Sequence, residues 1–329
     1  MAAMVSELIP DTLVDFLRIV GWYAERMEIE AYLVGGSVRD WLIGIPAFDI
    51  DLMVVGDAPR FTSSLYAEWE ELFPGVSRPL PPKIFPKFGT VKISLVTEIA
   101  PGVSQFDFAS SREEQYAAPG AEPTVTLGAS FEKDMLRRDF TANALALEIG
   151  PVRFLQVRDA VDGVRDLQNN ELRLIHDRSL QDDPARIIRG LRFVARRGFV
   201  FEKETERLMK EAVIGRYLQR LPQFRLFDEL RKALVEAEVC RTISEFYRWG
   251  IVSQLLPEAE LLSEQQVVGE LSKLSAANLC APEFKWVAAL FVLIRDKTKF
   301  IELLKRSKLS RVNTASAISA FELLSNAQI

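Results

Sequence analysis

The chain has 329 residues, 48% hydrophobic and 26% charged, and its 41 Lys and Arg against 46 Asp and Glu give a net charge of −5. This ordinary globular composition excludes intrinsic disorder and collagen-like repeats, and the length predicts about two domains. The longest strongly apolar stretch, residues 286–294, is too short for a bilayer, which takes about 20 residues, so we expect no membrane partner. Cys240 and Cys280 form no zinc or disulfide pattern, which favours a reducing cytoplasm. With His176 as the single histidine, zinc hydrolases and His-dependent triads are excluded, so catalysis would rest on carboxylates, arginines and hard metal ions.

Hydrophobic periodicity divides the chain into two parts. Short runs rich in β-forming residues predict strands at 31–34, 50–55, 90–96 and 105–109. Helical spacing predicts helices at 12–27 and 61–72, and loops follow at 73–89 and 112–128. From about residue 183 onward the spacing is helical. The pattern predicts a mixed head of about 150 residues followed by an all-helical body.

Positive charge is concentrated in two helical segments. Residues 186–232 hold 13 Lys and Arg against 6 Asp and Glu, and residues 295–311 hold 7 against 2. Such segments in an acidic protein favour a polyanionic partner, and the alternative is a solvated helical surface.

A glycine pair follows the first predicted strand, in the sequence LVGGSVRD at residues 33–40. Gly35 and Gly36 would let the backbone approach a ligand, and the next helix would offer free N–H groups. A triphosphate fits such a place, with Arg39 adding a charge-assisted contact. The alternative is an ordinary turn.

Acidic residues stand in or directly beside two predicted strands. Asp49 and Asp51 in FDIDLMVV lie two apart, so on a strand they share a face, where they repel each other unless a cation lies between them. Mg²⁺ is the expected cation, because it takes oxygen ligands and keeps waters for substrate phosphates. Asp107 in QFDF would complete a two-metal site. The alternative is a set of solvated carboxylates.

The sequence RRDFTANALA at 137–146 places charge beside an apolar run. Arg138 and Asp139 would hold phosphate and ribose hydroxyls if a triphosphate lies nearby. A structural salt bridge is the alternative.

An arginine row begins another predicted helix, in DDPARIIRGLR at 182–192. Asp183 is the expected N-cap and Pro184 the first helical residue. Arg186, Arg189 and Arg192 share one face, and i,i+3 pairing with Asp183 leaves the last two without acids. Asp183 can accept a hydrogen bond from the exocyclic amine of cytosine or adenine while an arginine donates to the adjacent ring nitrogen. The carbonyl edges of U and G do not match this pair of groups.

These motifs, in this order, resemble the class II tRNA nucleotidyltransferase and bacterial poly(A) polymerase family. The matching stretches are GGSVRD (35–40), DID (49–51), RRDFTANA (137–144), DGVRDL (162–167) and DDPARIIR (182–189). The resemblance weakens past about residue 235. It implies an α+β fold, with a nucleotidyltransferase head of mixed β-sheet and helices at 1–150, followed by an all-helical remainder. This remainder comprises a base-recognising neck at 151–200 and an RNA-binding body and short tail at 201–329.

The resemblance also implies an activity and site roles. CMP and AMP would pass from CTP and ATP to an RNA 3′ end, with two Mg²⁺ ions and release of pyrophosphate. Asp49 and Asp51 would bind the metal, with Asp107 as the third carboxylate. The triphosphate would be contacted by Gly35, Gly36 and Arg39, and the sugar end by Arg138 and Asp139. The base would be read by Asp183 and Arg186, with Arg189 and Arg192 alongside. The chain departs from many members by having Asp182 where they have Glu, and it is short for the family.

Several functions remain open on these residues. The product is a full CCA end, part of it, or a poly(A) tail, with tRNA as the commoner family substrate. A second reading is a non-catalytic RNA-binding relative, against which intact Asp49 and Asp51 argue. A third is a phosphate-binding α/β protein unrelated to RNA, which the arginine row disfavours.

Overall fold

The computed structural model describes residues 7–235, 238–257, 262–276 and 285–326, so Cys280 lies outside the described residues. The chain divides into two compact units, the first comprising Met1–Gln115 and Pro123–His176, the second Tyr116–Glu122 and Asp177–Ile329. In the part of the chain that the structure describes, no helix is long and apolar enough to span a membrane.

The first unit contains both strands and helices. Its strands are β1 (Ala31–Val34), β2 (Ile50–Val54), β3 (Lys83–Phe85), β4 (Thr90–Ser94), β5 (Gln105–Ser110), β6 (Arg112–Gln115), β7 (Thr124–Leu127), β8 (Leu145–Glu148), β9 (Val157–Asp159) and β10 (Glu171–Leu172). Its helices are α1 (Asp11–Arg26), α2 (Gly36–Leu42), α3 (Ala58–Ala67), α4 (Trp69–Leu72), α5 (Phe131–Leu136) and α6 (Gly163–Gln168).

Seven of these strands form the central sheet, in the order β3-β4-β5-β2-β1-β8-β9. The β2–β5 pair is parallel and the other pairs are antiparallel, so the predicted mixed sheet is confirmed. Strands β6 and β7 form a separate antiparallel hairpin.

One face of the sheet carries the aromatic core. Phe106 and Phe108 alternate with polar residues along β5, so both project to the same side. Phe16 of α1 stacks on Phe106 at 4.1 Å between ring centroids, and Phe61 of α3 meets Phe108 at 6.1 Å. Burial of these rings, each worth roughly 1.5–3 kcal/mol, fixes the two helices against this face.

The opposite face is covered at one end only. Over β1 and β8, Phe131 and Met135 of α5 pack on a buried cluster that includes Tyr32, Val34 and Ala146. Over β4 and β5, every second residue is half-exposed instead. The sheet therefore presents an open end on this face, with β2 at its border.

The first unit extends beyond residue 150, where the sequence placed the start of an all-helical neck. Strand β9 pairs with β8 and so belongs to the sheet. Leu174 forms an isolated bridge with Phe140, and the unit ends at His176. Residues 151–176 are thus held by backbone pairing that hydrophobic periodicity does not reveal.

The second unit is mainly helical, as predicted. Its helices are α7 (Ser179–Asp182), α8 (Ala185–Arg197), α9 (Lys203–Ile214), α10 (Gln223–Leu234), α11 (Val239–Arg248), α12 (Val252–Leu255), α13 (Glu264–Ala276), α14 (Lys285–Ile294), α15 (Lys297–Arg306) and α16 (Arg311–Asn326), with a two-residue strand, β11 (Val200–Phe201), between α8 and α9. Aromatic pairs join them: Phe227 meets Trp286 edge-on at 5.8 Å, and Phe300 stacks on Phe321 at 4.4 Å.

Candidate active site

The glycine bend after β1 lies directly against an acidic side chain. Gly35 has φ +86°, a left-handed conformation that favours glycine. A Cβ atom added to Gly35 would lie 2.8 Å from Oδ2 of Asp51, so a larger residue would have to displace that carboxylate and also adopt an unfavourable backbone conformation. The register explains the approach, because Val34 is the cross-strand partner of Asp51. Gly36 then begins α2, where its own missing Cβ leaves room for the Arg39 guanidinium.

Asp51 and Asp107 are direct partners in the parallel β2–β5 pair and therefore project from the same face. Asp49 stands one residue before β2 and is exposed, so the strand alternation that predicts it on the same face as Asp51 does not apply to it. Its backbone carbonyl accepts a hydrogen bond from the Ser37 hydroxyl, which ties it to α2.

The pKa of Asp51 is raised to about 6, mainly by burial and then by the charges of Asp107 and Asp49, while Arg138 and Lys92 act in the opposite direction. The predicted trio is thus close enough for its charges to interact.

The donor set fits a divalent cation. In the described ranges, no group of three or more His, Cys, Asp or Glu is drawn together closely enough to hold an ion by itself. Mg²⁺, however, usually takes one or two carboxylates and completes its shell with water and substrate phosphates. Asp51, whose pKa is raised by the charge of neighbouring Asp107, stands beside a bend suited to phosphate and meets that description.

Asp107 has two neighbours that sequence reasoning missed. Gln105 Nε2 donates a hydrogen bond to its Oδ2 at 3.1 Å, and Lys92 Nζ lies 3.6 Å from the same oxygen. The signal was available for Lys92, because it is a charged residue between buried Val91 and Ile93 on a strand. That alternation places Lys92 on the carboxylate face.

A hydrogen-bond chain joins the glycine motif to the RRDFTANA motif. Arg39 donates from Nε to Asp40 at 2.8 Å and from Nη1 to Asn143 Oδ1 at 2.5 Å. Asn143 in turn donates from Nδ2 to Asp139 Oδ1 at 3.0 Å. Arg39 and Asp139 are therefore held together through Asn143, a residue that the sequence placed in the motif without giving it a role.

Arg138 is fixed by a buried acid. Its Nε and Nη2 donate to Asp134 Oδ1 at 3.3 and 3.2 Å, and Arg137 binds the other oxygen at 2.8 Å. Both arginines therefore form salt bridges with Asp134, an acid that lies outside the motif. Burial lowers the pKa of Arg138, and Asp134 opposes that effect. Arg138 also lowers the pKa of Asp51, so its charge reaches the carboxylates.

In the second unit, Asp183 is buried and held by a residue that the sequence did not indicate. Its Oδ1 accepts from the Ala185 backbone N–H at 3.2 Å and from Arg225 Nη2 at 3.0 Å. Helix α8 begins at Ala185 with Pro184 in the capping position, one residue later than predicted. Asp183 still satisfies a helix N–H group, because its backbone is extended just before the helix.

The arginine row lies on α8 as predicted. Arg186 is 3% exposed, and Arg189 and Arg192 are partly exposed. The expectation that Arg192 lacks an acid is wrong, because its Nη1 lies 3.4 Å from Glu229 on α10. The compensating acid comes from a neighbouring helix, so i,i+3 spacing within α8 does not reveal it.

A known protein family matches part of each of the two units. Residues 31–173 match the poly A polymerase head domain, and residues 198–262 match a domain described as the probable RNA and SrmB-binding site of polymerase A. The A-adding tRNA nucleotidyltransferase of Geobacter sulfurreducens is 35% identical over 271 residues. That alignment covers 82% of this chain but only 29% of the relative, so the chain spans less than a third of its length.

Two solved structures share the fold over nearly the whole chain. A CCA-adding enzyme in complex with CTP is similar with a TM-score of 0.75 and 29% identity, covering 99% of this chain and 72% of that one. The Thermotoga maritima CCA-adding enzyme complexed with tRNA is similar with a TM-score of 0.73 and 29% identity, covering 99% and 73%.

The head-domain match includes the glycine bend, the carboxylates and the Arg39–Asn143–Asp139 chain, which makes the first unit a nucleotidyltransferase head. The second match follows the first along the chain. The chain belongs to the tRNA nucleotidyltransferase and poly(A) polymerase family.

Proposed function

We propose that this protein transfers CMP, AMP or both from CTP and ATP to the 3′ end of tRNA. The observation that carries the proposal is the position of Asp51, whose carboxylate lies against the Gly35 bend and beside Asp107. This arrangement sets a cation-binding group next to a phosphate-binding turn. Similarity to an A-adding tRNA nucleotidyltransferase and to CCA-adding enzymes with CTP or tRNA supports these substrates, and a cytoplasmic location suits them.

The head residues bind and orient the nucleotide. The backbone at Gly35 and Gly36 accommodates the triphosphate, and Arg39, oriented by Asn143, binds its oxygens. Arg138 and Asp139 hold the sugar end. Asp49 and Asp51, with Asp107 beside them, would hold Mg²⁺, which when bound acts as a Lewis acid toward the phosphates and lowers the pKa of the attacking hydroxyl.

Most of the catalytic effect would come from positioning and charge. Phosphoryl transfer of this kind asks little covalent chemistry of the protein, so a histidine base is not required. The positive charges of Arg138 and Lys92 lower the pKa of Asp51 and so favour its ionised form. Ionised carboxylates are the form that binds a cation.

The second unit would select the base. Asp183 uses Oδ1 for Ala185 and Arg225, and among the described residues its Oδ2 accepts no side-chain hydrogen bond. We assign Oδ2 to the exocyclic amine of cytosine or adenine, with Arg186 donating to the ring nitrogen and Arg189 and Arg192 on the same helix. The side chains would then act as the template.

Product length distinguishes the possible activities. Purified protein is offered a tRNA ending in the discriminator base, a tRNA ending in C-C, and an unstructured RNA, each with ATP, CTP or both. Extension of the tRNAs by at most three nucleotides supports the proposal, and the nucleotides required show whether CCA, CC or A alone is added. Long adenylate tails on unstructured RNA would instead indicate a poly(A) polymerase. Failure to label any RNA would favour a non-catalytic RNA-binding relative.

A further inference from the structure

A row of side chains leads from the carboxylates to the edge of the sheet. Lys83 on β3 is the cross-strand partner of Lys92, Lys92 is the partner of Asp107, and Asp107 is the partner of Asp51. Directly paired residues on neighbouring strands project from the same face. With strands about 4.8 Å apart, the backbone at Lys83 lies about 14 Å from that at Asp51.

This part of the sheet face is open. Every residue of β3 is exposed, and the residues of β4 on this face are half-exposed. Phe85 shares the face with Lys83 because it lies two positions along the strand, and Lys83 Nζ lies 5.3 Å from its ring centroid. Ile84 projects to the opposite face, as its partner Val91 does, yet it is as exposed as Phe85 (41% and 38%).

The in-line geometry of the reaction indicates which substrate would lie on this open face. Strand β2, with Asp51, has β1 and the glycine bend on one side and β5, β4 and β3 on the other. In phosphoryl transfer the attacking and leaving oxygens stand roughly in line, on opposite sides of the phosphorus. If the leaving pyrophosphate lies over the Gly35 bend, the attacking hydroxyl approaches from the β5–β3 side.

The geometry points to a platform for the single-stranded 3′ end of the acceptor RNA, formed by Lys92, Lys83 and Phe85. The two lysines bind backbone phosphates, and the Phe85 ring stacks on a base. A positive row with an aromatic side chain is the usual means of holding single strands without reading their sequence. This inference rests on the proposed function, because the in-line argument supplies the direction of approach.

The chain offers a matched pair of variants for the test. Phe85→Ala removes a ring on the carboxylate face, and Ile84→Ala removes a similarly exposed side chain on the other face of the same strand. Both variants and Lys83→Ala alter exposed side chains, and circular dichroism checks that each is folded. Binding of a fluorescent single-stranded RNA ending in C-C is measured by anisotropy, without nucleotide, over a series of salt concentrations.

We expect Phe85→Ala to weaken RNA binding by about tenfold, the loss that removal of one base–aromatic stack produces. Lys83→Ala should weaken binding and reduce the salt dependence by about 0.7 in the log–log slope, the value for one single-strand phosphate contact. Ile84→Ala should leave binding unchanged. In extension assays, Lys83→Ala and Phe85→Ala should raise the KM for tRNA and leave the KM for the nucleotide unchanged.

The outcomes separate this inference from the proposed function. Wild-type protein that binds the RNA through Lys83 and Phe85 but extends no RNA would overturn the proposed activity and leave the platform standing. The platform is overturned if wild-type protein does not bind the single strand, or if Lys83→Ala and Phe85→Ala bind it normally. Equal losses from Ile84→Ala and Phe85→Ala also overturn it, because the edge strand and not the face would then be responsible.

Discussion

Replacing Asp51 with asparagine tests the electrostatics of the site through its effect on the fold. The pKa of Asp51 rises from 3.8 to about 6, mainly because the carboxyl is buried and secondly because Asp107 faces it. One pKa unit corresponds to about 1.4 kcal/mol, so the ionised carboxylate destabilises the ligand-free fold by up to ~3 kcal/mol. Asparagine has the same shape and no charge, and Asp51→Asn should remove this cost while abolishing turnover.

The pH dependence follows from the direction of the pKa change. Between about pH 4 and pH 6 the folded state binds the Asp51 proton more tightly than the unfolded state, so stability falls as pH rises. The cost is therefore complete above about pH 6 and absent below about pH 4. We expect Asp51→Asn to be more stable than wild type by ~1–3 kcal/mol at neutral pH, with the difference disappearing on acidification.

Urea denaturation of both proteins, followed by circular dichroism at several pH values in the presence of EDTA, measures this difference. Asp49→Asn is the matched control, since Asp49 is exposed and its replacement should change stability little. A variant no more stable than wild type at neutral pH would refute the reasoning. So would a gain in stability that stays constant from neutral to acid pH.

Further predictions follow from other contacts. Gly35→Ala forces a left-handed alanine against the Asp51 carboxylate and should cost at least ~1 kcal/mol in urea denaturation and most of the turnover; an unchanged variant would contradict the packing described. Asn143→Ala should raise the KM for the nucleotide more than it lowers kcat, as initial rates over a nucleotide series would show, because the arginine that binds the triphosphate loses its orienting acceptor. Arg225→Ala leaves the buried Asp183 carboxylate with one fewer charged donor, so it should destabilise the second unit by ~2 kcal/mol. It should also increase the incorporation of UMP and GMP, and unchanged nucleotide selectivity would argue against base reading by Asp183. Mg²⁺ should raise the melting temperature of wild type above that of the EDTA-treated protein and leave Asp51→Asn unchanged.

The elements that the sequence predicted well are those with a strong local pattern. Strand β1 matches its prediction at both ends because its four residues form one short apolar run. Strand β5 runs one residue beyond its prediction, which rested on alternating polar and apolar residues. Strand β2 begins at Ile50 as predicted, so the alternation that predicts Asp49 on the face of Asp51 extends one residue beyond the strand. The position of Asp51 beside Asp107 depends on a parallel register that one sequence does not contain.

The contacts that the sequence could not predict join distant residues. Asp183 and Arg225 lie 42 positions apart, and Arg192 and Glu229 lie 37 apart, each pair on different elements of the helical unit. Spacing rules compare residues within one helix, so they left Arg192 without an acid. Strand β9 was missed for a related reason, because its three half-exposed or exposed residues carry no apolar pattern and are held by pairing with β8.

The central claim is that carboxylates beside the glycine bend hold a divalent cation against a nucleotide whose transfer lengthens tRNA. The most direct measurement is incorporation of labelled CMP and AMP into a tRNA transcript, by wild type and by folded Asp51→Ala and Asp49→Ala, with Mg²⁺ and with EDTA. We predict incorporation by wild type with Mg²⁺ only, and none by either variant. Undiminished incorporation by Asp51→Ala, or by wild type in EDTA, would contradict the claim.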